Sequence, residues 1–351
     1  MAPGRGFAAG VSLLFAGISA LALVELIVNL VIRPQSGPFA LGAAFEPHLL
    51  VIGAVAAVLA MLGTLADRSA GANRIRILGI VVIVVALVRV GGEWWSPDDG
   101  PNLVIQTAGT TRLTVMSWNL EVGSKAPAEA LEGILRPPGK TMPDVVALQE
   151  LTPGVAAALE ASADIDAAYP YRMLEPRDDV RGMGILSTIP LVKGAYGAFP
   201  MVLTAALLLP DDTRVDLLDV HPLPPRISTL AGVPWGLDTR QRDKELESLR
   251  ASVDRTADPT RVILVGDLNT TPFEPGFGTV SRDLEDAHER IGTGTGFTWR
   301  PAILQPLNAG LVRIDHVLTG SAIAPVTVGE DCSLPGDHCR LIVLLEVTAA
   351  H

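Results

Sequence analysis

The sequence is short of positive charge. Lys and Arg number 27 against 38 Asp and Glu, which gives a net charge of −11. Residues 1–111 contain six Arg and six acidic residues, so the excess of negative charge belongs to residues 112–351. An acidic region lacks the broad positive surface with which processive enzymes hold nucleic acid. The deficit argues against such an enzyme, but not against one that depends on a metal ion.

Cysteine is nearly absent as well. The two cysteines are Cys332 and Cys339, which bracket the segment CSLPGDHC. Two thiolates without further ligands do not complete a zinc shell, so a zinc site is not expected. A disulfide, which requires a domain outside the cytoplasm, and two free thiols are the remaining interpretations. We predict the disulfide between Cys332 and Cys339.

Long apolar runs are confined to the first 95 residues. They cover residues 6–32, 49–66 and 77–88, the last extended to residue 95 if Arg89 places its charge at the interface. The first two are long enough to span a bilayer and the third is marginal. The pair Trp94–Trp95 is typical of a helix end at the membrane interface. We predict three transmembrane helices at about 6–32, 48–66 and 75–95, with a cleaved signal peptide as the alternative for the first.

The arginines of this region predict its orientation. Arg68, Arg74 and Arg76 lie in the loop between the second and third runs, so this loop and the N-terminus are expected in the cytoplasm. With three spans the following domain is extracytoplasmic, whereas with two it is cytoplasmic. We predict a multi-pass protein of the cell membrane, in contact with the lipid bilayer and without an obligate protein partner. Glu25 and Asn29 share one face of the first helix, and we interpret them as a helix–helix contact rather than a functional site.

Residues 96–111 are polar and rich in Pro and Gly, which indicates a linker. Residues 112–351 contain many short apolar segments, few helical patterns and no regular alternation of strand and helix. This pattern predicts a mixed, largely antiparallel sheet sandwich with helices outside. The expected strands are 113–118, 145–148, 181–187, 202–209, 214–220, 262–269, 311–318 and 341–347, and the expected helices are 127–135 and 239–255.

Polar residues follow the ends of these strands. In the segment VILVGDLN, Asp267 and Asn269 are two residues apart, so on an extended strand both side chains point to one face. An ordinary Asp-Asn turn is the alternative. Other polar residues at or near strand ends are Asn119, Glu150, His221, Asp315, Asp337 and His338. Oxygen ligands of this kind suit a hard divalent cation, and phosphoryl chemistry needs such a cation.

The order of these motifs resembles the endonuclease/exonuclease/phosphatase superfamily, which includes deoxyribonucleases, apurinic endonucleases, sphingomyelinases and inositol polyphosphate 5-phosphatases. The motifs are SWNLE (117–121), ALQE (147–150), GILS (184–187), HPLPP (221–225), GDLNTTP (266–272), RIDHVL (313–318) and GDHC (336–339). The resemblance implies an α+β four-layer sandwich of two mixed, largely antiparallel sheets with flanking helices, behind the N-terminal all-α transmembrane segment.

The resemblance also implies metal ligands. Asn119 and Glu150 are expected at the metal, with Asp337 as a ligand or close to one. Glu121 is an acidic ligand in some members, and a solvent-exposed glutamate is the alternative here. The cofactor implied is Mg²⁺, with Mn²⁺ or Ca²⁺ as alternatives.

Catalytic and substrate-binding roles follow in the same way. Asp267 is expected to orient or deprotonate the attacking water, and Asn269 to bind the phosphate. His338 is expected to contact a phosphate oxygen, with Asp315 holding its ring. His221 matches the histidine that protonates the leaving group or stabilises the phosphorane-like state, and a pKa near neutrality suits an imidazole to this work. His316, next to Asp315, should point the other way and be structural.

Arg240 matches an Arg–Gln pair of the superfamily together with Gln241. We expect it to pack helix against sheet, with substrate contact as the alternative. Gly336 and Arg340 depart from the usual last motif, which puts the geometry of that loop in question.

The predicted function is therefore hydrolysis of a phosphodiester, in nucleic acid or a phospholipid head group, by in-line attack of water. Two alternatives are a phosphomonoesterase for a phosphoinositide-like substrate and a catalytically silent binding domain on a membrane anchor.

Overall fold

A computed structural model describes residues 3–94, 109–123, 126–137 and 142–350, with the side chains of residues 3–8, 92 and 93 left out. Most of the expected linker, residues 96–108, lies outside the described residues, as does Trp95 of the expected interfacial pair. The chain forms two compact units. The helical unit contains Met1–Trp95, Pro225–Arg240 and Phe273–Pro275, and the sheet unit contains the rest of the chain.

The N-terminal part of the helical unit consists of helices with one very short strand. Its elements are α1 (Pro3–Ile32), β1 (Ser36–Gly37), α2 (Pro38–Ala44), α3 (Glu46–Gly63) and α4 (Ala70–Trp94). Two helical segments, Ala9–Ile32 and Glu46–Gly63, are long and apolar enough to cross a membrane. Only 33% and 39% of their apolar windows is buried, which leaves most of their apolar surface exposed. The helix α4 forms over the third predicted span but is not one of these two.

Two segments from later in the sequence fold with these helices. Strands β9 (Arg226–Leu230) and β10 (Val233–Asp238) form an antiparallel hairpin, and β10 also pairs antiparallel with β1. In the second segment, the Phe273 carbonyl accepts a hydrogen bond of 3.0 Å from Asn29 Nδ2. The Arg89 guanidinium carbon lies 5.2 Å from the centre of the Phe273 ring. A single boundary at residue 112 therefore does not describe how the chain is divided.

A buried polar cluster joins the long helices. Asn29 Nδ2 on α1 donates to Glu46 Oε2 on α3 over 2.5 Å, and Arg89 Nε on α4 lies 2.7 Å from Glu46 Oε1. Glu25 is also buried, with 7% of its surface exposed. The interpretation of Asn29 as a helix–helix contact is confirmed, because its amide links two helices through Glu46.

The sheet unit contains two six-stranded sheets. The first has the order β14-β15-β2-β3-β5-β4. Its strands are β2 (Thr110–Asn119), β3 (Val145–Gln149), β4 (Tyr171–Glu175), β5 (Met183–Ser187), β14 (Ile323–Asp331) and β15 (Arg340–Thr348). Strands β2 and β3 are parallel, and the other neighbours in this sheet are antiparallel.

The second sheet repeats this pattern with the order β12-β13-β11-β8-β7-β6. Its strands are β6 (Leu191–Ala198), β7 (Met201–Leu208), β8 (Arg214–Val220), β11 (Val262–Asp267), β12 (Glu285–Asp286) and β13 (Asp315–Thr319). Strands β8 and β11 are parallel, and the other neighbours are antiparallel. The expectation of mixed, largely antiparallel sheets is confirmed.

Apolar side chains pack between the sheets and between sheet and helices. The helices are α5 (Pro127–Leu135), α6 (Pro153–Ala161), α7 (Ala163–Ala168), α8 (Arg240–Val253), α9 (Pro275–Val280) and α10 (Ala287–Ile291). Val115 belongs to a cluster with residues of both sheets, whereas its neighbour Met116 packs with residues of α5, α6 and α7. The two faces of β2 are both buried because its side chains alternate. One face of α8 carries Leu246, Leu249 and Val253, and these side chains are buried against the second sheet.

Candidate functional site

The two parallel strand pairs bring four of the predicted site residues to strand ends. In the first sheet β2 ends at Asn119, and Glu150 directly follows β3. In the second sheet His221 directly follows β8, and β11 ends at Asp267. Parallel neighbours end at the same edge of a sheet, so each sheet supplies two polar side chains at one edge. The long-range contacts below show that the two edges meet.

Asp267 is the centre of this group. Its Oδ2 accepts a hydrogen bond of 3.1 Å from Asn119 Nδ2 and lies 3.5 Å from His221 Nε2 and 3.6 Å from His338 Nε2. Its Oδ1 accepts a hydrogen bond of 2.8 Å from the Asn269 amide nitrogen. Burial alone would raise the pKa of Asp267, but His338, His221 and the Asn269 amide outweigh it and hold the pKa below its usual value. The carboxylate is therefore ionised and faces two imidazoles.

The backbone at three site residues is in the left-handed region. The φ angles are +54° at Glu121, +57° at Glu150 and +50° at Asn269. This conformation costs a non-glycine residue about 1–2 kcal/mol, and it persists where the surrounding structure compensates for it. Gly266 has a φ of +141°, and a Cβ there would lie 2.1 Å from the Val220 carbonyl oxygen, so this position requires glycine.

The expected strand geometry of Asp267 and Asn269 is wrong. Strand β11 ends at Asp267, and the left-handed backbone of Asn269 forms a turn beyond it. The two residues meet through the Asn269 amide instead of by strand alternation. Asn269 Nδ2 donates to the Pro222 carbonyl over 3.0 Å, which ties this turn to the residue after His221.

His338 lies between two carboxylates. Its Nδ1 is 2.9 Å from Asp315 Oδ2, and its Nε2 is directed towards Asp267. Burial would lower the pKa of His338, but the charges of Asp315 and Asp267 outweigh it and raise the pKa to about 10. The amide nitrogen of Asp315 donates to Thr298 Oγ1 over 3.1 Å, which fixes the carboxylate that orients the ring. His338 is therefore an imidazolium at neutral pH.

His221 is the second histidine beside Asp267, and both of its ring nitrogens have partners. Its Nδ1 lies 3.0 Å from the Val180 carbonyl oxygen, which can only accept, so Nδ1 carries a proton. Its Nε2 is directed towards Glu150 Oε1 at 3.7 Å and Asp267 Oδ2 at 3.5 Å. Burial opposes the charged form, but the two carboxylates outweigh it and raise the pKa of His221.

The acidic residues predicted as metal ligands lie beside this centre. Glu150 Oε1 accepts from Asn119 Nδ2 over 3.2 Å, and Glu150 Oε2 accepts from the Val122 amide over 2.6 Å. Glu121 is half-buried, and its Oε2 accepts a hydrogen bond of 3.1 Å from the Asp337 amide. The alternative interpretation, a solvent-exposed glutamate, is therefore wrong. Burial raises the pKa of Asp337, and the charges of Glu121, Glu150 and Asp267 raise it further.

These residues fit a divalent cation. The charges of Glu121 and Glu150 act on Asp337, and Asp337 Oδ1 is buried without a hydrogen-bond partner. Asp267, Asp315 and His338 each offer one ligand atom within 4.8 Å of the others. In that second group the imidazolium already neutralises carboxylate charge, so the first group is the better place for the ion.

The loop of Asp337 and His338 is held in two ways. Cys332 and Cys339 are joined by a disulfide with their Cα atoms 4.3 Å apart. Arg300, with 1% of its surface exposed, donates to the carbonyls of Cys332, Leu334 and Gly336 over 2.7, 2.8 and 2.7 Å. Sequence reasoning missed Arg300, because nothing near it in the sequence indicates which carbonyls it meets.

The arginines of α8 differ from expectation. Arg240 forms an ion pair of 2.5 Å with Asp238, and its side chain is 64% exposed, so it does not pack helix against sheet. Arg242 does so instead, since its Nη1 donates to the Asn269 carbonyl over 2.8 Å and its Nη2 pairs with Asp243. Arg242 was also missed, although it lies only two positions along the same motif.

His316 is structural, as the alternation along β13 predicted. Its Nδ1 lies 2.7 Å from Asp286 Oδ2, and its Nε2 lies 3.0 Å from the Thr270 carbonyl oxygen. Asp286 also accepts from Arg313 Nη1 over 2.7 Å. The ring therefore belongs to a buried charged network behind the site.

Comparison with known proteins supplies a family and a set of similar folds. Residues 116–338 match the Endonuclease/Exonuclease/phosphatase family. No curated protein matches the chain. The matched segment begins in β2 and ends at His338, so it contains the predicted site residues from Asn119 to His338.

Three solved structures also match part of this chain. An endonuclease/exonuclease/phosphatase from Beutenbergia cavernae is 18% identical, with a TM-score of 0.46 over 68% of this chain and 72% of that chain. An AP endonuclease from Leishmania major is 17% identical, with a TM-score of 0.45 over 68% of this chain and 88% of that chain. A conserved protein of unknown function from Enterococcus faecalis is 13% identical, with a TM-score of 0.46 over 66% of this chain and 99% of that chain.

Proposed function

Because the chain belongs to the endonuclease/exonuclease/phosphatase family, and is therefore a phosphoester hydrolase, we propose a specific form of that activity. The protein is a membrane-anchored, Mg²⁺-dependent phosphoesterase of the four-layer type, with its catalytic site outside the cytoplasm. One observation carries the proposal. Asp267 is ionised and buried, and two histidine rings and the Asn119 amide surround its Oδ2 atom.

Each role in the proposed reaction belongs to a particular side chain. Asp267 orients a water molecule and takes its proton as the water oxygen attacks phosphorus in line with the leaving group. The imidazolium of His338, held by Asp315, donates a hydrogen bond to a phosphate oxygen and stabilises its growing charge. Asn269 contributes to phosphate binding. His221 donates a proton to the leaving oxygen as its bond to phosphorus breaks.

The acidic residues would hold the cation. Glu150, Asn119 and Asp337 are the proposed ligands, with Glu121 supporting the loop of Asp337 through its amide. When bound, a divalent cation supplies neutralisation of the phosphate charge. Mg²⁺ suits a site of oxygen ligands, and Mn²⁺ or Ca²⁺ are alternatives.

Pairing of β1 with β10 supports the proposed membrane topology. Strand β1 lies in the connection between α1 and α3, and β10 comes after α4 in the sequence. If only α1 and α3 crossed the membrane, these two strands would be on opposite sides and could not pair. With α4 as a third span they are on the same side, and the arginine distribution makes this the extracytoplasmic side.

The proposed substrate is a phosphodiester of nucleic acid or of a phospholipid head group. The net charge of −11 disfavours tight, non-specific binding of long nucleic acid. A phosphomonoesterase acting on a phosphoinositide-like substrate is the alternative activity, and a catalytically silent binding domain is the alternative without activity.

Purified full-length protein in lipid nanodiscs tests the proposal. We expect Mg²⁺-dependent hydrolysis of one of bis(p-nitrophenyl) phosphate, DNA, RNA, sphingomyelin or phosphoinositide, abolished by a chelator and restored by Mg²⁺. Asp267→Asn should lower the rate by roughly 10²- to 10⁴-fold without unfolding the protein. Asp283→Asn is the matched control, because Asp283 is 85% exposed. Hydrolysis that persists in Asp267→Asn would remove the mechanism, and absence of any hydrolysis would favour the silent domain.

A further inference from the structure

The hairpin of β9 and β10 exposes large apolar side chains. Ile227, Leu230, Val233 and Trp235 are 63%, 60%, 64% and 56% exposed. Every residue of β9 is exposed, so neither face of this strand is covered by the described residues. The hairpin therefore presents apolar side chains on both faces, which is unlike an amphipathic surface strand.

The charges of the hairpin are confined to its base. Residues 227–237, ISTLAGVPWGL, contain no charged side chain, and Arg226 and Asp238 stand on either side of them. Arg226 and Asp238 are also register partners across the two strands. The hairpin thus has an uncharged tip and a charged base.

The base of the hairpin is fixed at the end of a membrane-type helix. Asp238 and Leu237 pair with Ser36 and Gly37, which follow the last residue of α1, Ile32, by four and five positions. Leu237 is buried in a small cluster with Ala40 and Ala44 of α2. The hairpin consequently belongs to the structure formed where α1 leaves the membrane.

The C-terminal end of α1 also exposes apolar side chains. Leu30, Val31 and Ile32, the last three residues of the helix, are 55%, 76% and 68% exposed. In the same unit Phe39 of α2 is 42% exposed. Exposed apolar side chains therefore occur on α1, on α2 and on the hairpin, all of which belong to the helical unit.

We infer that the tip of this hairpin, residues 229–235, is inserted into the interfacial layer of the lipid bilayer. The bilayer is the occupant that fits, because its head-group region accepts exposed apolar side chains and the amphipathic ring of Trp235. The open edge of β9 limits the depth, since unpaired backbone groups do not enter the hydrocarbon core. This inference rests on the proposed membrane spans and adds a contact outside them.

The inserted hairpin lies between His221 and α8 in the sequence. It attaches this part of the chain to the membrane in addition to the attachment through the N-terminal helices. Only Pro222–Pro225 separate His221 from Arg226, the first residue of β9. One of the proposed catalytic histidines is therefore close in sequence to an element held at the bilayer surface.

Three matched cysteine substitutions test the depth of the tip. Leu21, Leu230 and Leu307 are 69%, 60% and 71% exposed and lie in α1, in the hairpin and in a short 3₁₀ helix of the sheet unit. The two native cysteines form a disulfide, so each substitution to Cys creates one thiol for an environment-sensitive NBD label. The labelled full-length protein is placed in phosphatidylcholine nanodiscs that carry doxyl groups either near the glycerol or deep in the chains.

We expect three different results. The label at Leu21→Cys should be quenched most by deep doxyl groups, and the label at Leu307→Cys by neither. The label at Leu230→Cys should be blue-shifted and quenched more by shallow than by deep doxyl groups. Val233→Cys repeats the measurement at the other side of the tip.

Other outcomes overturn the inference, and they are distinguishable. If labels at 230 and 233 behave like the label at 307, the tip is in water. If they are blue-shifted but unquenched, the tip is covered by protein, either a partner or a second copy. If the label at 21 is not quenched, the proposed membrane anchor itself is wrong, and the hairpin inference fails with it.

Discussion

Replacing Arg300 should loosen the loop that carries Asp337 and His338. Its guanidinium donates to the carbonyls of Cys332, Leu334 and Gly336. Hydrogen bonds to a charged group contribute about 1.5–3 kcal/mol each. Arg300→Met removes three of them, but the loop is partly exposed, so water replaces some of the loss. We expect the free energy of opening this loop to fall by about 2–4 kcal/mol, with a smaller effect on the free energy of global unfolding.

Hydrogen exchange measures this opening directly. The Cys339 amide donates to the Thr298 carbonyl, and the Arg300 amide donates to the Asp337 carbonyl, over 2.8 and 2.7 Å. Both amides should exchange roughly 30- to 1000-fold faster in Arg300→Met if opening costs about 2–4 kcal/mol less. Hydrolytic activity should fall with them, because Asp337 and His338 lose their fixed positions.

Arg136→Met is the matched control. Arg136 pairs with Glu132 at 3.5 Å, and its side chain is 81% exposed, so its loss should cost less than about 1 kcal/mol. Arg300→Lys keeps the charge but cannot reach three carbonyls and should fall between the two. Unchanged exchange at the Cys339 and Arg300 amides in Arg300→Met would refute the reasoning.

Three further predictions concern residues around the site. Asp286→Asn should destabilise the fold by about 3–5 kcal/mol, because it removes the carboxylate from a buried ion pair. Burial would raise the pKa of Asp286, but Arg313 and His316 hold it well below its usual value. The carboxylate therefore contributes to the free energy of unfolding above about pH 4, and this contribution is lost as the pH falls further. The stabilities of wild type and variant should consequently converge in acid denaturation. Reduction of the disulfide, which closes a loop with a sequence separation of 7, should cost about 2–3 kcal/mol and lower the Tm, and a Tm unaffected by reductant would count against it. Asp315→Asn should lower kcat by roughly 10- to 100-fold, and an unchanged kcat would show that Asp315 does not orient His338.

The sequence was sufficient for the strand ends of the sheet unit. Val145–Gln149 and Val262–Asp267 are short, apolar and β-branched, so their positions follow from local pattern. Glu150 and Asp267 belong to different sheets, and they come together because the edges of the two sheets meet. The order of the motifs, through the family that it resembles, predicted that both residues belong to one site, whereas strand pairing alone did not.

Features that depend on distant residues could not be predicted. The pairing of β1 with β10 joins Ser36 to Asp238, and no local pattern in either segment names the other. The expected strand continues to Asn269, whereas the chain turns there with a left-handed backbone. The only sequence signal for such a turn is the Asn itself. Residues 171–175, 191–198 and 323–331 form strands that the pattern did not indicate, and all three lie at sheet edges, where burial patterns are weak.

The pairing of β1 with β10 has a practical consequence for producing the protein. A truncated chain that begins after α4 lacks β1, so β10 loses its partner and its outer edge is open. The hairpin then consists of two strands, which are marginally stable alone, and it carries four large exposed apolar side chains. An open, uncharged edge of this kind is a template for intermolecular β-pairing. Such a truncated enzyme should aggregate through this hairpin, and deleting residues 226–238 together with the helices should restore solubility.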